Sequence, residues 1–283
     1  MKNKLKTFLK GFAMGSVDII PGISGGTMAL ILGIYQKIIQ ELKSIDAKFI
    51  KLFFSFKFKK AFGSVDLGFL LSLFLGIIIA IISLSRIISH LLENNSFYLY
   101  SFFFGLIIAS IFVILPKKFY KDPKYLFIIP GVIIAWLISG GGVISSPNTY
   151  LTIFISGAIA ICAMILPGIS GSFILLILDK YEFMINILKN PFLENNIIYL
   201  SVFVLGCIIG LLSFVRLLSY LLKKYYKQSI AILIGFMLGA LRKIWPFGNL
   251  KGDENLVYSL IFLIIGISIV VIVHTLSKKK KEL

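Results

Sequence analysis

The sequence predicts an all-α polytopic membrane protein of two inverted-topology repeats, each one re-entrant helical hairpin plus three transmembrane helices. Three observations predict it. The chain is 58% hydrophobic with only 12 acidic residues in 283 and has a mean hydropathy of +0.98. Its apolar runs reach the roughly 20 residues that a helix needs to cross a hydrocarbon core. Second, the phrase Pro21-Gly22-Ile23-Ser24-Gly25 returns as Pro167-Gly168-Ile169-Ser170-Gly171, both times inside an apolar stretch. Third, lysines crowd into alternate loops.

The first repeat, 1–140, opens with a hairpin over 5–43. The arm from Leu5 to Ile19 would be about 22 Å of helix, and the arm from Thr27 to Leu42 is only slightly longer, so each falls short of a core about 30 Å thick. Both flanks are lysine-rich, which places them on one side of the membrane and favours a hairpin over two spans. Helices over 67–92, 97–115 and 125–139 follow. The second repeat, 147–283, has a hairpin over 150–189 with weakly charged flanks, then helices over 197–222, 228–245 and 256–276. All of 1–283 forms a single membrane domain. The basic N-terminus resembles the start of a secretory signal. Its apolar stretch, however, holds Gly15, Ser16 and Asp18 and runs into the motif without a small-residue cleavage site, so it is expected to remain in the mature protein.

The net charge of +17 reads as orientation, not nucleic-acid binding. Lys2 to Lys10, Lys37 to Lys60, Lys117 to Lys124, Lys223 to Lys227 and Lys278 to Lys281 fall on one side of these spans. That side is the cytoplasm, with both termini on it, and the lysines also attract anionic headgroups among the membrane lipids.

An offset of 146 carries Pro21–Gly25 onto Pro167–Gly171 and Tyr35 onto Tyr181. An offset of 130 carries Gly76 onto Gly206, Ser83 onto Ser213, Arg86 onto Arg216, Ser89 onto Ser219 and Gly105 onto Gly235. A repeated Pro, Arg and Ser series is hard to obtain by chance in Ile- and Leu-rich helices. A hairpin plus three crossings inverts the second half, the plan of secondary transporters whose broken helices meet near the midplane.

After each break a helix restarts at Ser24-Gly25-Gly26-Thr27 or Ser170-Gly171-Ser172. Hydroxyls there suit N-capping, glycines allow close approach, and unpaired N–H groups favour an anion. A single Pro-Gly bend is as well explained by a tight turn; its duplication points to a site. No Gly-Lys-Ser/Thr follows, which argues against a nucleotide. Arg86 and Arg216 lie at hydrocarbon depth, each in a Ser-x-x-Arg-x-x-Ser stripe along one helix face. They either snorkel to the interface or face inward, where a guanidinium grips phosphate in bidentate fashion. Asp18 has Met164 as its counterpart and is the candidate carrier of a coupling proton or sodium ion, or the ion-pair partner of an arginine. Asp179 and Glu182 read as a solvated arm end beside Lys180. Cys162 and Cys207 read as packing residues, and His90 and His274 lie too far apart in sequence to suggest a metal pair. No metal, cofactor or catalytic residue is expected. No nucleophile with a nearby His, and no carboxylate pair, can be assembled. Gly11/Gly15, Gly206/Gly210 and Gly235/Gly239 have the spacing of close helix packing.

The stretches Ile20-Pro-Gly-Ile-Ser-Gly-Gly-Thr-Met-Ala-Leu-Ile-Leu-Gly-Ile-Tyr35 and Ala163-Met-Ile-Leu-Pro-Gly-Ile-Ser-Gly-Ser-Phe-Ile-Leu-Leu-Ile-Leu-Asp-Lys-Tyr181 resemble the paired signatures of the bacterial polyprenyl-phosphate transporters, long catalogued as a domain of unknown function. The departure is Asp179, where a glycine is expected. The resemblance covers essentially the whole chain. It implies a flippase in the bacterial plasma membrane that returns undecaprenyl phosphate, a polyprenyl-phosphate carrier lipid of cell-wall synthesis, from the outer to the cytoplasmic leaflet. The residues then suggest a headgroup site between the hairpin tips, made of loop N–H groups, Ser24, Thr27, Ser170, Ser172 and one or both arginines, with the tail left in lipid. A secondary transporter of a small soluble anion, built on the same site without a lateral groove, is the alternative, and the sequence leaves the oligomeric state open.

Overall fold

The computed structural model describes residues 2–20, 23–116, 118–193, 195–246 and 256–279. Pro21 and Gly22 of the first break, Lys117, Lys251, Lys280 and Lys281 lie outside the described residues. All regular structure among the described residues is helical. In chain order the helices are α1 (Lys2–Asp18), α2 (Gly25–Ile31), α3 (Tyr35–Lys43), α4 (Ala47–Phe54), α5 (Phe58–Phe62), α6 (Leu67–Ile114), α7 (Ile128–Gly140), α8 (Tyr150–Ile165), α9 (Gly171–Ile177), α10 (Tyr181–Lys189), α11 (Asn196–Lys224), α12 (Tyr226–Ala240) and α13 (Leu256–Lys279). Segments Leu67–Ile114, Pro123–Gly140, Asn196–Lys224 and Leu256–Thr275 are long and apolar enough to cross a membrane, whereas Tyr150–Ile165 and Tyr226–Ala240 are apolar but shorter. The chain is an all-helical membrane protein.

Several boundaries differ from the sequence reading. Between the spans placed at 67–92 and 97–115 the backbone stays helical except at Asn95 (φ −140, ψ 33). A straight helix over all of α6 would be about 72 Å long, more than twice a hydrocarbon core, so the turn is made at that residue. The span placed at 125–139 begins as a 3₁₀ turn over Pro123–Phe127 before α7, because Pro123 fixes the entry and the Asp122 carboxylate accepts from the Lys124 N–H (3.1 Å). The helix placed at 228–245 ends at Ala240 and continues as turns.

The arm expected from Thr27 to Leu42 is not one helix. It stops at Leu32 and restarts at Tyr35, with Gly33 at φ +67. The turn is closed by Leu32 N–H to Met28 O (2.9 Å), Gly33 N–H to Leu30 O (3.1 Å) and Ile34 N–H to Ala29 O (3.0 Å), a left-handed helix cap of the Schellman kind. The second half repeats it at the offset of 146: Leu178 N–H to Ile174 O (3.0 Å), Asp179 N–H to Leu176 O (3.1 Å) and Lys180 N–H to Leu175 O (2.8 Å). Asp179 takes φ +57 where its counterpart is glycine. Asp is among the few side-chain-bearing residues that enter this region readily, which explains how the departure is accommodated. Asp179 and Glu182 are exposed, as a solvated arm end requires. Lys180 is not: it is fully buried and donates to the Ser146 carbonyl. With Ser145 Oγ donating to Asp179 (2.9 Å) and Ile144 N–H to Ile177 O (2.6 Å), it ties the extended segment before α8 to the α9–α10 turn.

The chain separates into two compact units, Met1–Ala80 with Gly141–Tyr226, and Ile81–Gly140 with Lys227–Leu283. In the first, glycines bring helix backbones into contact. A Cβ on Gly11 would stand 2.1 Å from the Leu73 carbonyl oxygen and one on Gly76 2.2 Å from that of Phe8. At the matched positions a Cβ on Gly157 would meet Phe203 O at 2.5 Å and one on Gly206 would meet Phe154 O at 2.1 Å. Thus α1 lies on the start of α6 in the same register as α8 on α11. Cys162 and Cys207 serve this seam, their thiols directed at the Gly210 (3.6 Å) and Gly157 (3.4 Å) carbonyls. At one end of the unit Lys37 pairs with Asp66 (2.7 Å), whose N–H donates to Glu41 (2.8 Å); the hydrogen bond from Lys37 holds the Asp66 carboxyl below the usual carboxylate range.

The second unit has a matching pair of seams. A Cβ on Gly105 would meet Leu263 O at 2.2 Å and one on Gly266 would meet Phe102 O at 2.1 Å, while Gly235 faces Ile128 O at 2.3 Å and Gly131 faces Ile232 O at 2.5 Å. The second helix of one half therefore packs on the third helix of the other half, twice over. Ser101 and Ser259, both buried, share a hydrogen bond across one seam (2.5 Å).

Replacing Gly206 with leucine places a branched side chain where a carbonyl already stands. We expect Gly206→Leu to cost at least the roughly 1–3 kcal/mol of an overpacked core, read as a lower thermal midpoint and a lower folded yield in detergent, with Gly142→Leu as the tolerated control because nothing stands within 4 Å of that site.

Candidate functional site

Two helix breaks in one apolar unit leave backbone donors and acceptors without helical partners, and in hydrocarbon each of these must be satisfied from within the protein. In the first unit part of this need is met where the two loops join. Ser24, 2% exposed, caps α2: its Oγ accepts from the Gly26 N–H (3.1 Å) and its hydroxyl proton is directed at the Met164 and Leu166 carbonyls, each at 3.2 Å. These are carbonyls at the C-terminal end of α8. In return Thr27, 1% exposed, accepts at its Oγ1 from the Gly168 N–H (2.8 Å), where Gly168 takes φ +84. Gly26 lies so close that a Cβ there would be 2.6 Å from the Ile165 carbonyl oxygen. Ser24, Gly26 and Thr27 thus form one face of a contact whose other face is the backbone from Met164 to Gly168.

The N-terminus of α2 is already occupied by a negative group. Asp18, the last residue of α1, accepts from the Gly25 N–H at 2.6 Å, and a Cβ on Gly25 would collide with its carboxylate. The carboxylate stands where an incoming anion would be bound, so any phosphate using these amides competes with Asp18. At the far end of α2, Lys10 Nζ donates to the Leu32 carbonyl (2.8 Å), a half-buried ammonium at the helix C-terminus, where the dipole favours it.

The second loop is built differently. Ser170 precedes α9 but makes no side-chain cap; its Oγ instead lies 2.8 Å from that of Ser172. Ser172 is exposed and Gly171 is buried, the latter tight against the Ala160 carbonyl. A pair of hydroxyls therefore stands beside the α9 N-terminus without serving it, whereas in the first loop the corresponding groups are consumed by the contact. Arg216 is exposed on α11 and donates to the Leu212 carbonyl of its own helix (3.2 Å). Arg86 is also exposed and belongs to the other unit.

The structure accordingly brings together Asp18, Ser24, Gly25, Gly26 and Thr27 with the backbone before Ser170. It leaves the Ser170–Ser172 hydroxyls and Arg216 outside that contact. Sequence reasoning missed the acceptors at Met164 and Leu166, the Gly168 donor and the Lys10 cap. Only the offset alignment, which sets the two loops as equivalents, hinted that one loop would serve as partner to the other.

A family model described as undecaprenyl phosphate translocase-like matches residues 14–255. A curated relative from Vibrio cholerae, named polyprenyl-phosphate transporter, is 42% identical over 87% of this chain and 79% of its own length. One of the same name from Staphylococcus aureus is 31% identical over 84% of this chain and 85% of its own. No solved structure gives a significant match.

Removing the Thr27 hydroxyl leaves the Gly168 N–H without its acceptor. We expect Thr27→Val to destabilise the protein by about 1–3 kcal/mol, measured as the thermal midpoint in detergent, and Thr27→Ser to recover most of the loss.

Proposed function

Since this chain belongs to the undecaprenyl phosphate translocase-like family, we propose that it transports a polyprenyl phosphate, undecaprenyl phosphate, from the outer to the cytoplasmic leaflet of the bacterial plasma membrane, returning the carrier for cell-wall synthesis. It acts as a transporter and not as an enzyme. The fold underlying this reading is a pair of inverted repeats, each a re-entrant hairpin and three spans. Its support is the recurrence, at matched residues, of the left-handed turns at Gly33 and Asp179 and of the glycine seams of α1 on α6 and α8 on α11.

The observation that carries the mechanism is the direct hydrogen bonding of the two loops through Ser24, Thr27 and Gly168. Two broken helices that meet inside lipid make a place where amide and hydroxyl donors are available at low dielectric, and there a phosphate gains more from each donor than it would in water. The headgroup enters beside the Ser170–Ser172 hydroxyl pair, whose lone pairs and protons are not committed to capping α9, and takes donors from Gly25, Gly26, Gly171 and the serines. The prenyl tail stays in lipid through a lateral opening. Rocking of one repeat against the other exposes the headgroup to each leaflet in turn. Arg86 and Arg216 act at the two mouths, passing the phosphate by bidentate contacts.

Asp18 supplies the coupling in this scheme. Its carboxylate holds the Gly25 N–H, and a second anion at the same amides would face it at close range, so binding of phosphate is favoured when Asp18 takes up a proton or is screened by sodium. A headgroup and an ion then travel together.

The test is leaflet exchange of a labelled polyprenyl phosphate in proteoliposomes. Replacing Arg86 and Arg216 together with glutamine should slow exchange by about tenfold or more, the worth of a lost charge-assisted phosphate contact; an unchanged rate would remove the arginines from the mechanism. Wild-type exchange should rise as pH falls through the range in which Asp18 protonates, because protonation removes the competing charge. Asp18→Asn, neutral at every pH, should flatten that dependence. Transport of inorganic phosphate at a comparable rate would instead identify a soluble-anion carrier.

A further inference from the structure

In the first unit α3 packs along α11, and near their C-terminal ends the two helices leave a cavity of about 460 Å3 between them. Ile39 and Leu222 form its floor, 1% and 8% exposed. The rim is made of Gln36, Gln40, Lys43, Ser44, Ser219 and Lys223. The rim offers side-chain amide, hydroxyl and ammonium donors, with the Ser44 hydroxyl already given to the Gln40 carbonyl (3.0 Å); two of its groups carry positive charge, and no carboxylate lines it. The neighbouring acids on this side are engaged elsewhere, Asp66 with Lys37 (2.7 Å) and Glu41 with the Asp66 N–H (2.8 Å). Ser219 stands one helical turn beyond Arg216 on the same face of α11. The rim thus begins one turn beyond Arg216 along α11, whose guanidinium is turned back to the Leu212 carbonyl.

We infer that this cavity is a phosphate-group site at the cytoplasmic face, where the headgroup of the lipid is received after crossing. The inference rests on the proposed transport of a polyprenyl phosphate and adds to it a second, peripheral binding position. A phosphomonoester carries about −1.5 to −2 charges at neutral pH and offers three acceptor oxygens, matching a rim of ammonium, amide and hydroxyl donors. An apolar floor beneath them fixes the helix ends without supplying a competing acceptor.

By the same offsets Gln36, Lys43 and Lys223 correspond to Glu182, Lys189 and Glu93, so this run of amides and ammoniums is not repeated in the sequence at the matched positions. Holding of phosphate at this rim sets where the lipid waits for a lipid-consuming enzyme, not its equilibrium between leaflets.

The experiment uses the full chain purified in detergent, with farnesyl phosphate, farnesol and inorganic phosphate as probes in titration calorimetry, and leaflet exchange in parallel. For K43Q/K223Q we expect about a tenfold weaker affinity for farnesyl phosphate, two exposed ammonium contacts acting together, and a raised half-saturation for exchange. Salt should weaken wild-type binding more than variant binding. The control K48Q/K51Q removes the same charge from the same side and should leave the affinity unchanged; an equal loss there would reduce the effect to bulk attraction and overturn the site. Unchanged affinity in K43Q/K223Q, or farnesol binding as tightly as farnesyl phosphate, would also overturn it. Displacement of farnesyl phosphate by inorganic phosphate at similar concentration means that the site reads the phosphate group whatever its source, whereas failure to displace means that the lipid stem contributes; both agree with the inference. If the wild type exchanges no polyprenyl phosphate while K43Q/K223Q still weakens phosphate binding, the transport reading falls and the cavity stands.

Discussion

A backbone that breaks its helix inside hydrocarbon has no water to turn to, and the rest of this structure depends on how that constraint is met. The first loop gives Ser24 to the carbonyls of Met164 and Leu166 and takes the N–H of Gly168 on Thr27. The hydroxyls of the first loop stand in for solvent at the backbone of the second. The contact needs no side chain at Gly26, hydroxyls short enough to reach across, and a left-handed glycine at 168. The two copies of the phrase end up with different partners.

That difference separates the two copies chemically. In the first copy the amides are capped by Ser24 and by the carboxylate of Asp18, so its positive end is neutralised from within. In the second the serine hydroxyls turn toward each other, and Ser170 makes no side-chain cap on α9. Asp18, with Met164 as its counterpart, makes the two loops inequivalent.

Much of this was legible in the residues. Apolar run lengths, the repeated phrase and the small-residue spacing of Gly11/Gly15, Gly206/Gly210 and Gly235/Gly239 name the helices and their contacts, because hydropathy and the absence of a Cβ act locally. The turn at Gly33 was less visible: a lone glycine in an apolar arm reads as tolerated helix, and only its pairing with Asp179, a residue also at ease at positive φ, would have marked a cap. The burial of Lys180 was illegible, since its acceptor, the Ser146 carbonyl, lies 34 residues away in a segment with no periodicity. The partners of Ser24 and Thr27 were hidden for the same reason. They are main-chain groups 140 or more positions distant, and the side-chain alphabet says nothing of where a carbonyl will point.

The glycine seams constrain how this molecule can move. Where Gly11 and Gly76, or Gly157 and Gly206, seat a carbonyl against bare Cα atoms, axial slippage by a single residue would push a side chain into an oxygen. Shear between those partners is therefore closed to the protein. Each glycine-locked pair must travel as a stiff slat, which leaves bending to places that carry no such lock, the irregular residue Asn95 of α6 among them.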